Sequence, residues 1–136
     1  MKGRKPKLGN GDGGAALGRC PKPPAWLSPY AKAEWKRAAP ELHGRRLLTP
    51  DVLATLESYV TAAGTIRECE DIMQAEGRII EGEKGKSVHP AFKVQQGAMR
   101  EARLLAAELG LTPHRRYAAP APDDGEDDDV PAGLLG

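Results

Sequence analysis

The chain is 136 residues long, with 20 Lys/Arg, 19 Asp/Glu and a formal charge of +1. That neutrality is a cancellation: residues 1–22 sum to +5, residues 118–136 to −6, and the stretch between them to +2. One domain fits this length, with a modest core once both charged ends are set aside. No apolar stretch of about 20 residues and no secretory signal is visible, which excludes a membrane-spanning reading. Cys20 and Cys69 have no partner spacing, so free thiols in a reduced cytosolic setting are expected.

The first 25 residues, from "MKGRKPKLGNGDGG" to "GRCPKPPA", lack hydrophobic periodicity and are dense in Gly and Pro. They read as a flexible basic arm, residues 1–25, that enters a stiff proline segment. Lys2, Arg4, Lys5 and Lys7 make it a polyanion-seeking arm. Gly3 lets the backbone approach a groove, and Pro6 keeps the chain extended. A solubilising role for both charged ends is the competing reading.

A helical domain over residues 26–117 follows. Ser28 with Pro29 starts a helix, the hydroxyl capping free amides and the proline needing none. Tyr30, Ala31, Glu34, Trp35 and Ala38 repeat at helical spacing, and Pro40 predicts a kink or break before a short piece at Leu42–Gly44. Thr49, Pro50 and Asp51 repeat the cap logic for a long helix over about 50–76. Its stripe is Val52, Leu56, Tyr59, Ala63, Ile66, Cys69 and Met73, widened by Leu53 and Val60. Gly64 in its middle is open to two readings, close approach of another helix or simple tolerance. "GRIIEGEKGKSVHP" changes period and predicts short strands at Arg78–Ile80 and Ser87–His89. His89 and Pro90 then open a helix whose face is Phe92, Gln95, Met99, Ala102, Ala106 and Leu109, stopped by Gly110. "LTPHRRY" offers one more turn. From Ala118 onward the composition is that of a disordered acidic tail, residues 118–136.

The fold class expected is all-α: an antiparallel hairpin of two long helices, an N-terminal helix closing the third side, a short β-hairpin between the long helices, and disordered termini. A small core with two-faced helices favours self-association. His43, His89 and His114 share no ligand spacing, and "GNGDGG" lacks the residues of a phosphate loop, so neither metal, cofactor nor enzymatic chemistry is expected. The charge-bearing candidates are instead basic pairs at loops and helix ends, Arg45 with Arg46, Lys84 with Lys86, and Arg115 with Arg116. Together with the arm they predict a salt-sensitive phosphate-contacting surface. No helix-turn-helix is clear enough to assign a recognition helix.

Several segments in order, "GRKPK", "PPAWLSPYAKAEWKRAAPEL", "LLTPDVLATLESYV" and "HPAFKVQQGAMREARLLAAELGLTP", resemble the small subunits of tailed-phage terminases over about residues 1–115. Gly64 departs from the larger helix-favouring residue usual there, and "GNGDGGAALGRC" is looser than the usual linker. The resemblance implies a non-catalytic protein that forms homo-oligomeric rings in the host cytoplasm and recognises the packaging-initiation region of double-stranded viral DNA. It also implies delivery of that DNA to a large subunit holding the ATPase and nuclease. Outside that resemblance, Val130, Leu134 and Leu135 in the acidic tail are expected to offer a large subunit a short apolar patch, with a frayed solubilising end as the equal alternative. A helical transcriptional regulator, or a virion assembly protein without DNA function, are the alternatives.

Overall fold

The computed structural model describes residues 15–112. It is mostly helical, with three helices and a two-stranded antiparallel sheet. Helix α1 spans Pro29–Gly44, a 3-10 turn Pro50–Val52 leads into α2 at Leu53–Glu76, strands β1 (Ile79–Gly82) and β2 (Gly85–Val88) form the sheet, and α3 spans Pro90–Leu109.

Ser28 caps α1 as its sequence dictates, its Oγ accepting from the Ala31 amide at 3.3 Å with Pro29 at the first position. The break expected at Pro40 does not occur; α1 runs through it. Pro40 and Lys36, whose carbonyl loses its partner, are both exposed, so water replaces the missing bond. Ala38, Ala39 and Leu42, buried on both sides of the proline, hold the helix together by packing. Thr49 does not cap the next helix. Its hydroxyl donates to Asp51 Oδ1 at 2.5 Å, and the chain enters α2 through the 3-10 turn.

Leu27, Trp35, Leu42, Leu48, Leu56 and Val60 form the main core, closed by Leu109. A second cluster of Cys69, Met73 and Ala91 lies further along α2, with Phe92 against it. Gln95 reaches Ile66 and Glu70, Ala91 meets Met73, and Leu105 shares a groove with Glu57 and Ser58, so α3 returns along α2. Met99, expected on the buried face, is exposed, as are Val94 and Leu104. The strands begin one residue inward of their expected outer ends and reach two residues further toward the turn, paired Ile79 with Val88 through Gly82 with Gly85. The two-residue turn Glu83–Lys84 sets that register.

Residues 15–25, assigned by composition to the flexible arm, lie against the helices. Leu17 donates its amide to Leu48 O at 2.9 Å, His43 Nε2 contacts Leu17 O at 3.0 Å, and the Trp35 indole donates to Pro21 O at 2.9 Å. Leu17 and Cys20 pack on the main core. A buried indole needs an acceptor, and the Pro21 carbonyl supplies it, so the strap is fixed by polar satisfaction as well as by apolar contact. The arm proper at residues 1–14, and the segment 113–136 with the acidic tail, lie outside the described residues.

Gly64 is buried where α1 crosses α2. A Cβ there would sit 3.0 Å from Ala31 N, 3.1 Å from Ser28 Oγ and 3.2 Å from Ala31 Cβ. Of the two readings open in the sequence, close helix approach is the one realised.

Candidate nucleic-acid interface

The C-terminus of α1 ends in a Schellman motif: Leu47 N–H bonds Leu42 O at 2.9 Å and Arg46 N–H bonds His43 O at 3.0 Å. α3 ends the same way, with Leu111 N–H to Ala106 O and Gly110 N–H to Ala107 O. The left-handed position is Gly110 in α3 (φ 81°) but Arg46 in α1 (φ 61°). An arginine there costs about 1–2 kcal/mol relative to a residue without Cβ. Arg46 is exposed and forms no ion pair with a described residue. Its neighbour has another job. Arg45 donates through Nη1 to Gly110 O at 3.1 Å and pairs with Glu41, clamping the end of α1 to the end of α3.

Both limits of the described chain sit at this end. Leu17 is bound to Leu48, and Gly110 to Arg45. Lys2, Arg4, Lys5 and Lys7, like Arg115 and Arg116 and the apolar Val130, Leu134 and Leu135, lie outside the described residues, but the segments that carry them join the helices here.

Lys84 and Lys86 sit elsewhere, on the hairpin at the opposite end of α3, about 30 Å away by the 1.5 Å rise over its 20 residues. Both are exposed, and Lys86 stands directly across the ladder from Glu81 while Glu83 precedes Lys84 in the turn. Each lysine is therefore accompanied by an acid, and neither forms an ion pair with a described residue.

Between the two ends, α3 carries cations that sequence reading passed over. Lys93, Arg100 and Arg103 fall within about 80° of arc at 100° per residue, on the side away from buried Ala91, Gln95 and Leu109. All three are exposed and none has an ion-pair partner among the described residues. Their i, i+7, i+10 spacing was legible. The nearby Glu101 and Glu108 masked it: on the helix wheel they stand about 60–80° to one side of Lys93, at the edge of the cation arc, while Arg103 stands about 80° to the other.

The carboxylates elsewhere are largely engaged. Glu34 accepts from Tyr59 Oη at 2.6 Å and from Arg37 Nε at 2.9 Å. Burial alone raises a carboxyl, but here those hydrogen bonds outweigh it and Glu34 lies below its ordinary value. Burial, with Glu34 as acceptor, pushes Tyr59 up to about 12. Asp71 accepts from Tyr30, whose ring carries Arg67 4.7 Å from its centroid. Glu70 takes bonds from Gln95 at 2.9 Å, Gln74 at 3.1 Å and Arg78 at 2.7 Å, which hold its carboxyl below the ordinary value and tie the hairpin base to both long helices. His89 caps α3 through Nδ1 to the Ala91 amide at 2.9 Å, and its Nε2 meets Glu76 Oε1 at 2.7 Å, so it is a helix-entry residue.

Both cysteines are free thiols, and burial, aided by the Glu68 charge, pushes Cys69 up, consistent with a packing role. Among the described residues no group of three or more His, Cys, Asp or Glu could hold a metal ion. No described helix is long and apolar enough to cross a membrane. An open groove of about 450 Å³ lies between α2 and α3, lined by Trp26, Glu57, Ala62, Ala98, Glu101 and Leu105. Trp26 is 65% exposed there, and Val94 and Leu104, each 55% exposed, stand on the same helix as its α3 wall.

A family model described as "Phage terminase, small subunit" matches residues 31–126, which include all three helices except the first two residues of α1. No curated protein and no solved structure matches the chain.

Proposed function

The chain belongs to the phage terminase small-subunit family, and on that premise we propose that it is a non-catalytic DNA-binding adaptor of genome packaging. In this reading it recognises the packaging-initiation region of double-stranded viral DNA in the host cytoplasm. It then brings that DNA to the terminase large subunit and modulates the large subunit's ATPase and nuclease.

The observation that carries the DNA-binding part is the set of cations Lys93, Arg100 and Arg103, exposed on the water-facing side of α3 and without an ion-pair partner among the described residues. They span ten residues, about 15 Å of helix, which matches several phosphates of a duplex strand spaced about 3.4 Å along the axis. Arg46, held where glycine is cheaper, adds a fourth cation at the end from which the arm and the C-terminal segment depart. Such contacts position a protein on the backbone, and oligomerisation multiplies them. The Trp26 groove with Val94 supports self-association into a ring, because neighbours cover apolar surface that one chain leaves open. Val130, Leu134 and Leu135 are assigned to the large subunit.

The test combines two measurements. Duplex affinity should fall steeply with salt, and Lys93→Gln/Arg100→Gln/Arg103→Gln should flatten the log–log slope by about 2.7 at 0.9 per lost contact. The ATPase of the large subunit should change when this chain is added. A protein that leaves both duplex DNA and that ATPase untouched is not this adaptor.

A further inference from the structure

α1 sorts its charges by side. At 100° per residue, Lys32, Lys36 and His43 fall within about 40° of one another, and Glu34 and Glu41 lie about 160–200° around from Lys32. Those two acids are engaged where they stand, Glu34 by Arg37 and Tyr59 and Glu41 by Arg45. The opposite flank holds no acid of α1.

The strap runs along that acid-free flank. Its anchors are Leu17 at His43 and Pro21 at Trp35, so it covers eight residues of α1, about 12 Å. Arg19 lies between the anchors and Lys22 directly follows the second. Arg19, Lys22 and Lys36 are exposed and Lys32 is half-buried. None of the four forms an ion pair with a described residue.

We propose that Arg19, Lys22, Lys32 and Lys36 form a fixed site for the phosphate backbone of duplex DNA, separate from the N-terminal arm and from the α3 cations. This rests on the DNA-binding reading above and names a surface for it. Two physical arguments favour a duplex over a small anion. The four cations are strung along a helix flank rather than converging on one point, so a single phosphate meets one or two of them while a row of phosphates meets all. Lys32 and Lys36 are one turn apart, about 6 Å along the axis, close to two phosphate steps of a strand at about 3.4 Å each. Anchoring matters too. The strap's backbone is already held by three hydrogen bonds, so its cations bind without the ordering cost that a free arm bears.

The experiment measures binding of the full-length protein to a duplex by fluorescence anisotropy across a salt series. The variant Arg19→Gln/Lys22→Gln/Lys32→Gln/Lys36→Gln should lower the log–log slope by about 3.6 at 0.9 per contact, and bind at least about ten-fold more weakly at moderate salt. The charge-keeping variant Arg19→Lys/Lys22→Arg/Lys32→Arg/Lys36→Arg should bind as the parent does, and circular dichroism should show the same helicity for all. If the parent binds DNA and the glutamine variant matches it in slope and affinity, the site is overturned. A second background carries Asp123, Asp124, Asp127, Asp128 and Asp129 as Asn and Glu126 as Gln. If parent and glutamine variant differ in the native background but not in this one, the flank's occupant is the acidic tail, and the DNA assignment is equally overturned. A parent that binds no duplex at any salt sinks the adaptor reading itself, a separate result.

Discussion

Replacing Gly64 with alanine sets two effects of opposite sign against each other. In a helix interior the change gains about 1 kcal/mol of propensity, which is the whole effect if the glycine is merely tolerated. The packing opposes it. The new Cβ meets Ala31 N at 3.0 Å, Ser28 Oγ at 3.1 Å and Ala31 Cβ at 3.2 Å, all closer than an ordinary contact. Two of these atoms belong to α1 backbone or to its Cβ and cannot swing aside. The third is the cap hydroxyl, and rotating it away frees the Ala31 amide that it accepts from at 3.3 Å. α1 cannot recoil without disturbing buried Trp35, Ala38, Ala39 and Leu42. Overpacking of this kind costs about 1–3 kcal/mol and loss of a cap about 1 kcal/mol, so after the propensity gain Gly64→Ala should destabilise by about 1–3 kcal/mol net. In a domain of this size that lowers Tm by roughly 4–24 °C. Urea unfolding at fixed protein concentration measures it, with Gly97→Ala as control: Gly97 also lies mid-helix, but nothing stands within 4 Å of its Cβ position. The control should gain about 0.5–1 kcal/mol. A Gly64→Ala protein as stable as the control would refute the close-approach argument.

Three further outcomes follow from the same geometry. Arg46→Gly should raise stability by about 1 kcal/mol by relieving the left-handed strain, yet weaken duplex binding; denaturation and anisotropy on one sample read both. Gln95→Leu should cost about 1–2 kcal/mol, because the only buried polar side chain of the described core, 3% exposed, loses its bonds to Ile66 O and Glu70. Faster amide exchange across Ile79–Val88 should accompany it, since Glu70 ties the hairpin base through Arg78. Stability should also fall at both pH extremes. Tyr59 is raised in the fold, so its contribution is complete below about 10 and is lost as pH climbs towards about 12. Glu34 is lowered, so its contribution is complete above about 4.5 and is lost as pH falls through its folded value. Tyr59→Phe should flatten the alkaline limb in a pH series of thermal melts.

The sequence determined what is local. Ser28–Pro29, His89–Pro90 and Gly110 mark helix boundaries because caps and stops depend on a few neighbouring backbone groups, and all three stand where they were read. The period change at Gly77 likewise located the two strands to within two residues. Family membership was also legible, since ordered blocks of residues carry it. Tertiary structure decided everything that needed two distant segments. Pro40 stays inside a helix because buried side chains on either side outweigh one missing hydrogen bond. Residues 15–25 read as a loose arm by composition, yet the need of Trp35 for an acceptor and of the core for Leu17 fixes them. The basic pairs show the same division. Charge is written in the chain, but whether a cation is spent on a clamp, like Arg45, set across a ladder from an acid, like Lys86, or left without an ion-pair partner among the described residues, like Lys93 and Arg100, depends on which acid the fold brings beside it. Coulomb attraction acts over a few ångströms of space, and only packing converts separation along the chain into that distance.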